Sequence, residues 1–331
     1  MTDTPVNARP KKRNLRGLIR IVGLVVALGL CIAFLVPRAS DIAAGFSRQN
    51  PLTLVAALLV GFCATYVTFL SWRALIFGSG HRLPLIAAQR VFFLSQVGKY
   101  IPGSVWPIVA QADLGREHKV PPAKSVAVGM LTLLISCGAG VCVAAVTLPF
   151  VALDAFAKYW FVFLLVPIIL AALHPAVLRF GMRLAARATK RDLGNLEIPM
   201  PAILRAFGWA ALAWGVFGLH IWLVMLPVAH ADGRLLFLAI GGYAIAWLVG
   251  FLVFFLPAGL GGREAVLVAI LGAGVPFSSS VGVGVAVISR LLLTIVDLVF
   301  AGTAVLGRRH QGGVEAELEE VAPEKVRRHE A

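Results

Sequence analysis

Charge is scarce in this chain. Asp, Glu, Lys and Arg make up 14% of its 331 residues, against about 25% in soluble globular domains, which is too little to describe a water-exposed surface. Long polar stretches are missing as well. The apolar runs are joined by short connections, so no sizeable aqueous domain fits between them and a globular soluble enzyme is excluded. Cysteine is sparse: Cys31, Cys63, Cys137 and Cys142 all fall inside apolar stretches, without metal-ligand spacing, and read as buried small hydrophobes. The sequence has no H-E-x-x-H pattern, no G-x-S-x-G elbow, no phosphate-binding loop and no closely paired aspartates, and His81, His118, His174, His220 and His230 are scattered. No enzymatic activity and no cofactor are therefore expected.

What is present is hydrophobicity, at 59% of residues, with a formal net charge of +14. No nucleic-acid-binding module is readable, and the basic residues lie between and beside apolar segments, where membrane topology accounts for them. The composition defines an all-α polytopic membrane protein. Residues 1–17 form a basic N-terminal segment, 18–306 the membrane domain, and 307–331, rich in Glu, Arg and Gly, a tail expected to be disordered. Plain spans are expected at Leu18–Val36, Leu52–Trp72, Ser125–Leu148, Tyr159–His174, Ile203–Val228, Leu235–Leu256 and Ser280–Leu306. The first is longer than a signal core and lacks a small-x-small cleavage site, so it reads as an uncleaved span.

Two further apolar stretches are interrupted. Val91–Ala112 contains Gly98, Lys99, Pro102, Gly103 and Pro107; Leu256–Val275 contains Pro257, Gly259, Gly261, Gly262, Arg263 and Glu264. With both basic termini in the cytoplasm the crossings must be even in number. The loop carrying Arg179, Arg183, Arg187, Lys190 and Arg191 stays inside if the first interrupted stretch is re-entrant and the second crosses. The expectation is about eight transmembrane helices plus one re-entrant hairpin in a bacterial plasma membrane. Arginines at every fourth position of that loop suggest a basic amphipathic helix on the inner leaflet, acting as a topology anchor or as an anionic-lipid contact.

Broken backbone at membrane depth leaves N–H and C=O groups that only protein or a wet cavity satisfies, so such breaks mark sites. In the first, Lys99 is the candidate for a lipid phosphate, with Gln96, Tyr100 and Ser104 adding hydrogen bonds; the plainer alternative is a snorkelling lysine. In the second, Arg263 offers a bidentate fork, with Glu264 orienting it or exchanging a proton; the alternative is an internal Arg–Glu pair capping a broken helix. Arg290 and Asp297, seven apart, share a helix face as an intramembrane relay or as ion-pair partners for neighbouring helices. His220 reads as a packing histidine, and Trp209, Trp214 and Trp222 as lipid-facing or interfacial anchors.

The ordered pair of motifs, Gln96-x-Gly98-Lys99-Tyr100-x-Pro102-Gly103-x-x-Trp106 and Pro257-x-Gly259-x-Gly261-x-Arg263-Glu264, resembles the transmembrane region of lysylphosphatidylglycerol synthases from about Leu18 to Leu306. In the bacterial multiple-peptide-resistance factors this region is linked to flipping of aminoacylated phospholipid, and a separate C-terminal soluble domain transfers the amino acid. No such domain follows Leu306 here, so the resemblance implies the flippase-like part without the transferase. The functional expectation is binding or flipping of an anionic phospholipid or polyprenyl-phosphate-linked lipid. The alternative is a non-catalytic partner of a membrane glycosyltransferase or envelope-assembly enzyme.

Overall fold

The computed structural model describes residues 46–101, 105–151, 198–229, 232–252, 261–275 and 279–327, with isolated residues 36, 43, 171, 176 and 177, and beyond Leu306 the backbone alone. The N-terminal segment, the expected spans Leu18–Val36 and Tyr159–His174, and the arginines of the basic loop lie outside the described residues, isolated positions apart. Among those described there are eight α-helices and no strand. They are α1 (Pro51–Gly78), α2 (Leu85–Gln96), α3 (Trp106–Arg116), α4 (Pro122–Thr147), α5 (Met200–Met225), α6 (Gly233–Leu252), α7 (Gly262–Gly274) and α8 (Ser279–Arg327).

Proline sets four of the starts, at the first or second helical position of α1, α3, α4 and α5, where its missing N–H is no loss. At α1 the Asn50 side chain also accepts from the Leu52 N–H at 2.8 Å. Five helices are long and apolar enough to cross a membrane: α1, α4 with its 3₁₀ extension to Phe150, α5, α6, and α8 over Ser280–Leu306. They coincide with five of the expected plain spans. The backbone of α8 stays helical to Arg327, through the tail expected to be disordered; its Ala, Glu and Leu residues are good helix formers.

The bundle is apolar outside as well as inside. Val55, Leu59, Met130, Leu134, Leu204, Leu212, Ile295 and Leu298 all point outward, an arrangement that lipid solvates and water does not. The same inversion corrects the reading of Cys63, which lies exposed on the outer surface of α1, while Cys137 and Cys142 are half-buried free thiols. In a bilayer a small hydrophobe gains nothing by being inside.

His220 is buried in α5 and ties three helices together. Its Nδ1 lies 2.8 Å from the Ala57 carbonyl oxygen of α1 and its Nε2 lies 2.9 Å from Ser289 Oγ of α8. A carbonyl only accepts, so Nδ1 carries the proton and Nε2 accepts from the serine. The expected packing role agrees with this geometry. His220→Leu should lower stability by about 1–3 kcal/mol, since it strands a buried serine hydroxyl; thermal unfolding in detergent checks the value.

The interrupted stretches form two helical hairpins of unequal build. In the first, α2 and α3 flank a 3₁₀ turn at Val97–Tyr100, and Arg90 of α2 reaches Glu117, just past α3, at 2.7 Å near the base. With 12 and 11 residues, these limbs are about 18 and 16 Å long, short of the ~30 Å hydrocarbon core. In the second, α7 returns antiparallel along α6: Gly250 meets Arg263, Gly242 meets Ile270 and Gly274 meets Leu238. This stretch, expected to cross the membrane without being a straight helix, shows α7 with 13 residues, about 20 Å and by itself shorter than a span; residues 256–260 lie outside those described.

Both hairpins lean on α8, from opposite ends. Phe93 of α2 stacks on Phe300, 4.1 Å between ring centroids, and the 3₁₀ turn reaches Thr294 and Asp297. At the start of α7, Glu264 pairs with Arg290, and the end of α7 is joined to the start of α8 across four residues. So α7 lies along the N-terminal half of α8 and α2 along the C-terminal half. Arg290 is ten residues from Ser280 and Asp297 nine from Leu306, each about 15 Å from its end of the span. The two tips therefore meet the long helix near its middle.

Candidate functional site

Each tip is secured by a buried carboxylate. Lys99 Nζ lies 2.6 Å from Asp297 Oδ2, and the Tyr100 hydroxyl donates to the same oxygen at 2.6 Å. Asp297 is 6% exposed, Lys99 36%, so one charge is sheltered and its partner faces the opening. Only glycine fits at position 98. A Cβ there would come 2.9 Å from backbone atoms of Trp106 and Pro107, so the limb after the turn returns at backbone contact.

At the other tip Glu264 uses both oxygens. Oε1 accepts from Arg290 Nη1, and Oε2 accepts from the Gly261 N–H at 2.7 Å. Gly261 has φ +84°, a conformation that glycine adopts without a Cβ penalty. The carboxylate thus closes the first turn of α7, where the helix dipole favours negative charge, and fastens it to α8.

Arg263 is placed differently. Its Nη2 donates to the Tyr243 hydroxyl at 2.5 Å and its guanidinium carbon lies 4.6 Å from the centre of that ring. Among the described residues no carboxylate lies within ion-pair distance of it. Gly250 makes room for it: a Cβ on that residue would come 2.7 Å from the Arg263 Cβ.

Lys99, Tyr100, Gln96, Arg263, Arg290 and Asp297 line one cavity of about 270 Å³. Lys99 and Arg263, 164 positions apart in sequence, line the same cavity. Glu264 does not reach the cavity wall; it stands behind Arg290. Ser104 lies outside the described residues. Arg290 and Asp297 each pair with a different hairpin rather than with each other. Among the described residues three cations and two carboxylates gather here, a formal sum of +1.

The rest of the wall was not anticipated from sequence. Thr68 and Ser71 of α1, Gln111 of α3, Thr132 of α4, Trp214 of α5, and Tyr243 and Trp247 of α6 also line the cavity. Trp214 is corrected from a lipid-facing anchor to a wall residue: it is 4% exposed, packs edge-on to Trp247 and donates to the Ser136 carbonyl at 2.9 Å. Trp209 and Trp222 are half-buried. A usable signal existed in the spacing of Thr65 with Thr68 and of Thr132 with Ser136, polar pairs three and four apart on otherwise apolar helices.

Half-helices meeting a long span near its middle around a charged, aromatic-walled cavity define a polytopic membrane protein with an internal polar site. The chain belongs to the lysylphosphatidylglycerol synthase transmembrane region family, whose model matches residues 20–301. No curated protein matches the chain.

Proposed function

We propose that this protein takes the anionic headgroup of a lipid into the central cavity and carries it between leaflets while the acyl chains stay in the bilayer. The observation that carries this reading is Arg263, a cation on the cavity wall with no carboxylate partner among the described residues, beside Lys99 and Arg290, which have one each. A buried charge calls for a counter-ion, and a phosphate fits the guanidinium fork bidentately. Lys99, half-exposed on its carboxylate, is placed to share a phosphate oxygen once one arrives.

The protein itself performs no bond chemistry in this scheme. The hairpins enter from opposite faces, so rocking of one against α8 opens the cavity to one side and rocking of the other opens it to the opposite side. Although α6 is long enough to cross, its end at Gly250 meets Arg263 beside the mid-span Arg290; with α2–α3 and α6–α7 both taken as re-entrant, six crossings remain, at the five other expected plain spans and at α8. That count keeps both termini and the basic loop on the cytoplasmic side of a bacterial plasma membrane.

Reconstitution tests the proposal. In proteoliposomes holding headgroup-labelled phosphatidylglycerol in both leaflets, an impermeant reductant should quench nearly all label, against about half in protein-free vesicles. Quenching that stays at half for every anionic lipid tried would sink it.

A further inference from the structure

The three cavity cations are held in two different ways. Lys99 and Arg290 each lie on a carboxylate, Asp297 and Glu264 respectively. Arg263 rests on a phenol: its Nη2 donates to the Tyr243 hydroxyl, and its guanidinium carbon sits 4.6 Å from the centre of the Tyr243 ring. A carboxylate holds an arginine by cancelling its charge, whereas a hydroxyl and a ring face hold it and leave the charge uncancelled.

Tyr243 is itself fixed in place. It is 1% exposed, its ring stacks on Phe217 at 5.3 Å between centroids, and Trp214 packs against it at a tilt. The two glycines before it bring the backbone of α6 hard against its neighbours. A Cβ at Gly241 would come 2.6 Å from Thr147 Oγ1 at the end of α4, and one at Gly242 would come 3.0 Å from Ile270 of α7. A ring anchored through both its backbone and its packing does not follow a moving side chain.

The stem of Arg263 is held by the same helix. Gly250 meets its Cβ, and Gly250 and Tyr243 are seven residues apart, so they lie on one face of α6 two turns from each other. The side chain is thus fixed near its stem by Gly250 and at its head by Tyr243. An arginine free in an open cavity gives up its rotamer freedom when it binds an anion; one already held does not.

We propose that Tyr243 is a positioning residue for the phosphate site: a neutral, rigid rest that keeps the Arg263 fork aimed while leaving its charge to the incoming anion. This rests on the headgroup reading above and adds to it a residue that acts through Arg263 rather than on the lipid. It also sets the cations apart, since Lys99 leaves a carboxylate to meet a phosphate and Arg263 stays where it is.

Movement of headgroup-labelled phosphatidylglycerol by the full chain in proteoliposomes tests this. Tyr243→Phe keeps the ring face and loses only the hydroxyl; it should slow movement at least threefold, with an unfolding midpoint in detergent close to wild type. Tyr243→Leu removes both face and hydroxyl and should approach the rate of Arg263→Ala. The deciding readout is a cycle with Arg263→Lys. An ammonium has no plane to aim, so adding Tyr243→Phe to Arg263→Lys should change the rate less than twofold. The same fold-loss in both backgrounds would make Tyr243 an ordinary wall residue. Wild-type or faster movement in Tyr243→Phe would make its hydroxyl a competitor of the phosphate for Nη2, and a collapsed midpoint would make it a folding contact. Each of these three overturns the assignment and leaves the headgroup reading standing. No movement of phosphatidylglycerol or of any other anionic lipid by the wild-type chain would overturn both.

Discussion

Arg263→Ala should reduce lipid movement in proteoliposomes by at least tenfold while the protein still folds. The guanidinium is the one cavity cation without an ion-pair partner among the described residues, so its loss takes the formal sum of the site from +1 to zero. A phosphate then has to compete with Asp297 for Lys99 and with Glu264 for Arg290. Charge-assisted hydrogen bonds contribute about 1.5–3 kcal/mol each, and one such bond corresponds to about 10- to 150-fold in affinity. Folding is spared because Arg263 is held by one neutral hydroxyl and a ring face, not by a buried acid that would be orphaned. Arg263→Lys should fall between wild type and Ala, since a point charge restores the sum but not the fork. Arg205→Ala, an exposed arginine on α5, controls for lost positive charge as such. Wild-type rates in Arg263→Ala would remove the basis for placing phosphate in this cavity.

The membrane character of the chain and the existence of two breaks were legible because both rest on composition and local sequence. Apolar length identifies a span, and Pro-Gly clusters inside an apolar run identify backbone that does not stay helical. Five expected spans coincide with helices of spanning length for that reason. Position 99 and position 263 were legible as site candidates because a cation at a broken apolar segment needs a partner, although a snorkelling lysine and an internal Arg–Glu pair were the plainer alternatives.

Partner choice was not legible. Arg263 and Glu264 are adjacent in sequence and invite pairing with each other, yet consecutive residues at the start of a helix diverge by about 100°. Glu264 turns to Arg290 on α8 and Arg263 to Tyr243 on α6. Lys99 and Asp297, 198 positions apart, meet only because α2 runs back along the distal half of α8. The cavity wall was hidden for a related reason. Threonine and serine are tolerated on any membrane helix when bonded to the preceding turn, so nothing local marks the ones that face a cavity.

The Lys99–Asp297 pair should separate stability from function. Asp297→Ala removes the acceptor of both Lys99 and Tyr100 and leaves a charge and a phenol facing one another at mid-membrane. Breaking a buried pair costs about 3–5 kcal/mol, and because Lys99 is 36% exposed the lower end, about 3 kcal/mol, is expected from unfolding in detergent. Lys99→Met costs more per removed contact, since Asp297 at 6% exposure is the more sheltered charge. The double variant Lys99→Met/Asp297→Leu removes both charges and should recover most of the loss, because apolar replacement of a whole buried pair is about neutral or better. A double-mutant cycle closed with the single Asp297→Leu then yields a coupling close to the sum of the two single losses, since the double loses little. If the pair only fastened the hairpin tip to α8, the recovered double variant would move lipid normally. If Lys99 leaves Asp297 to share the incoming phosphate, the double variant is stable and slow, because a methionine holds the tip by packing but has no charge to exchange. Stability restored with movement still reduced at least tenfold is the expected result, and full restoration of both would reduce Lys99 to a structural ion-pair partner.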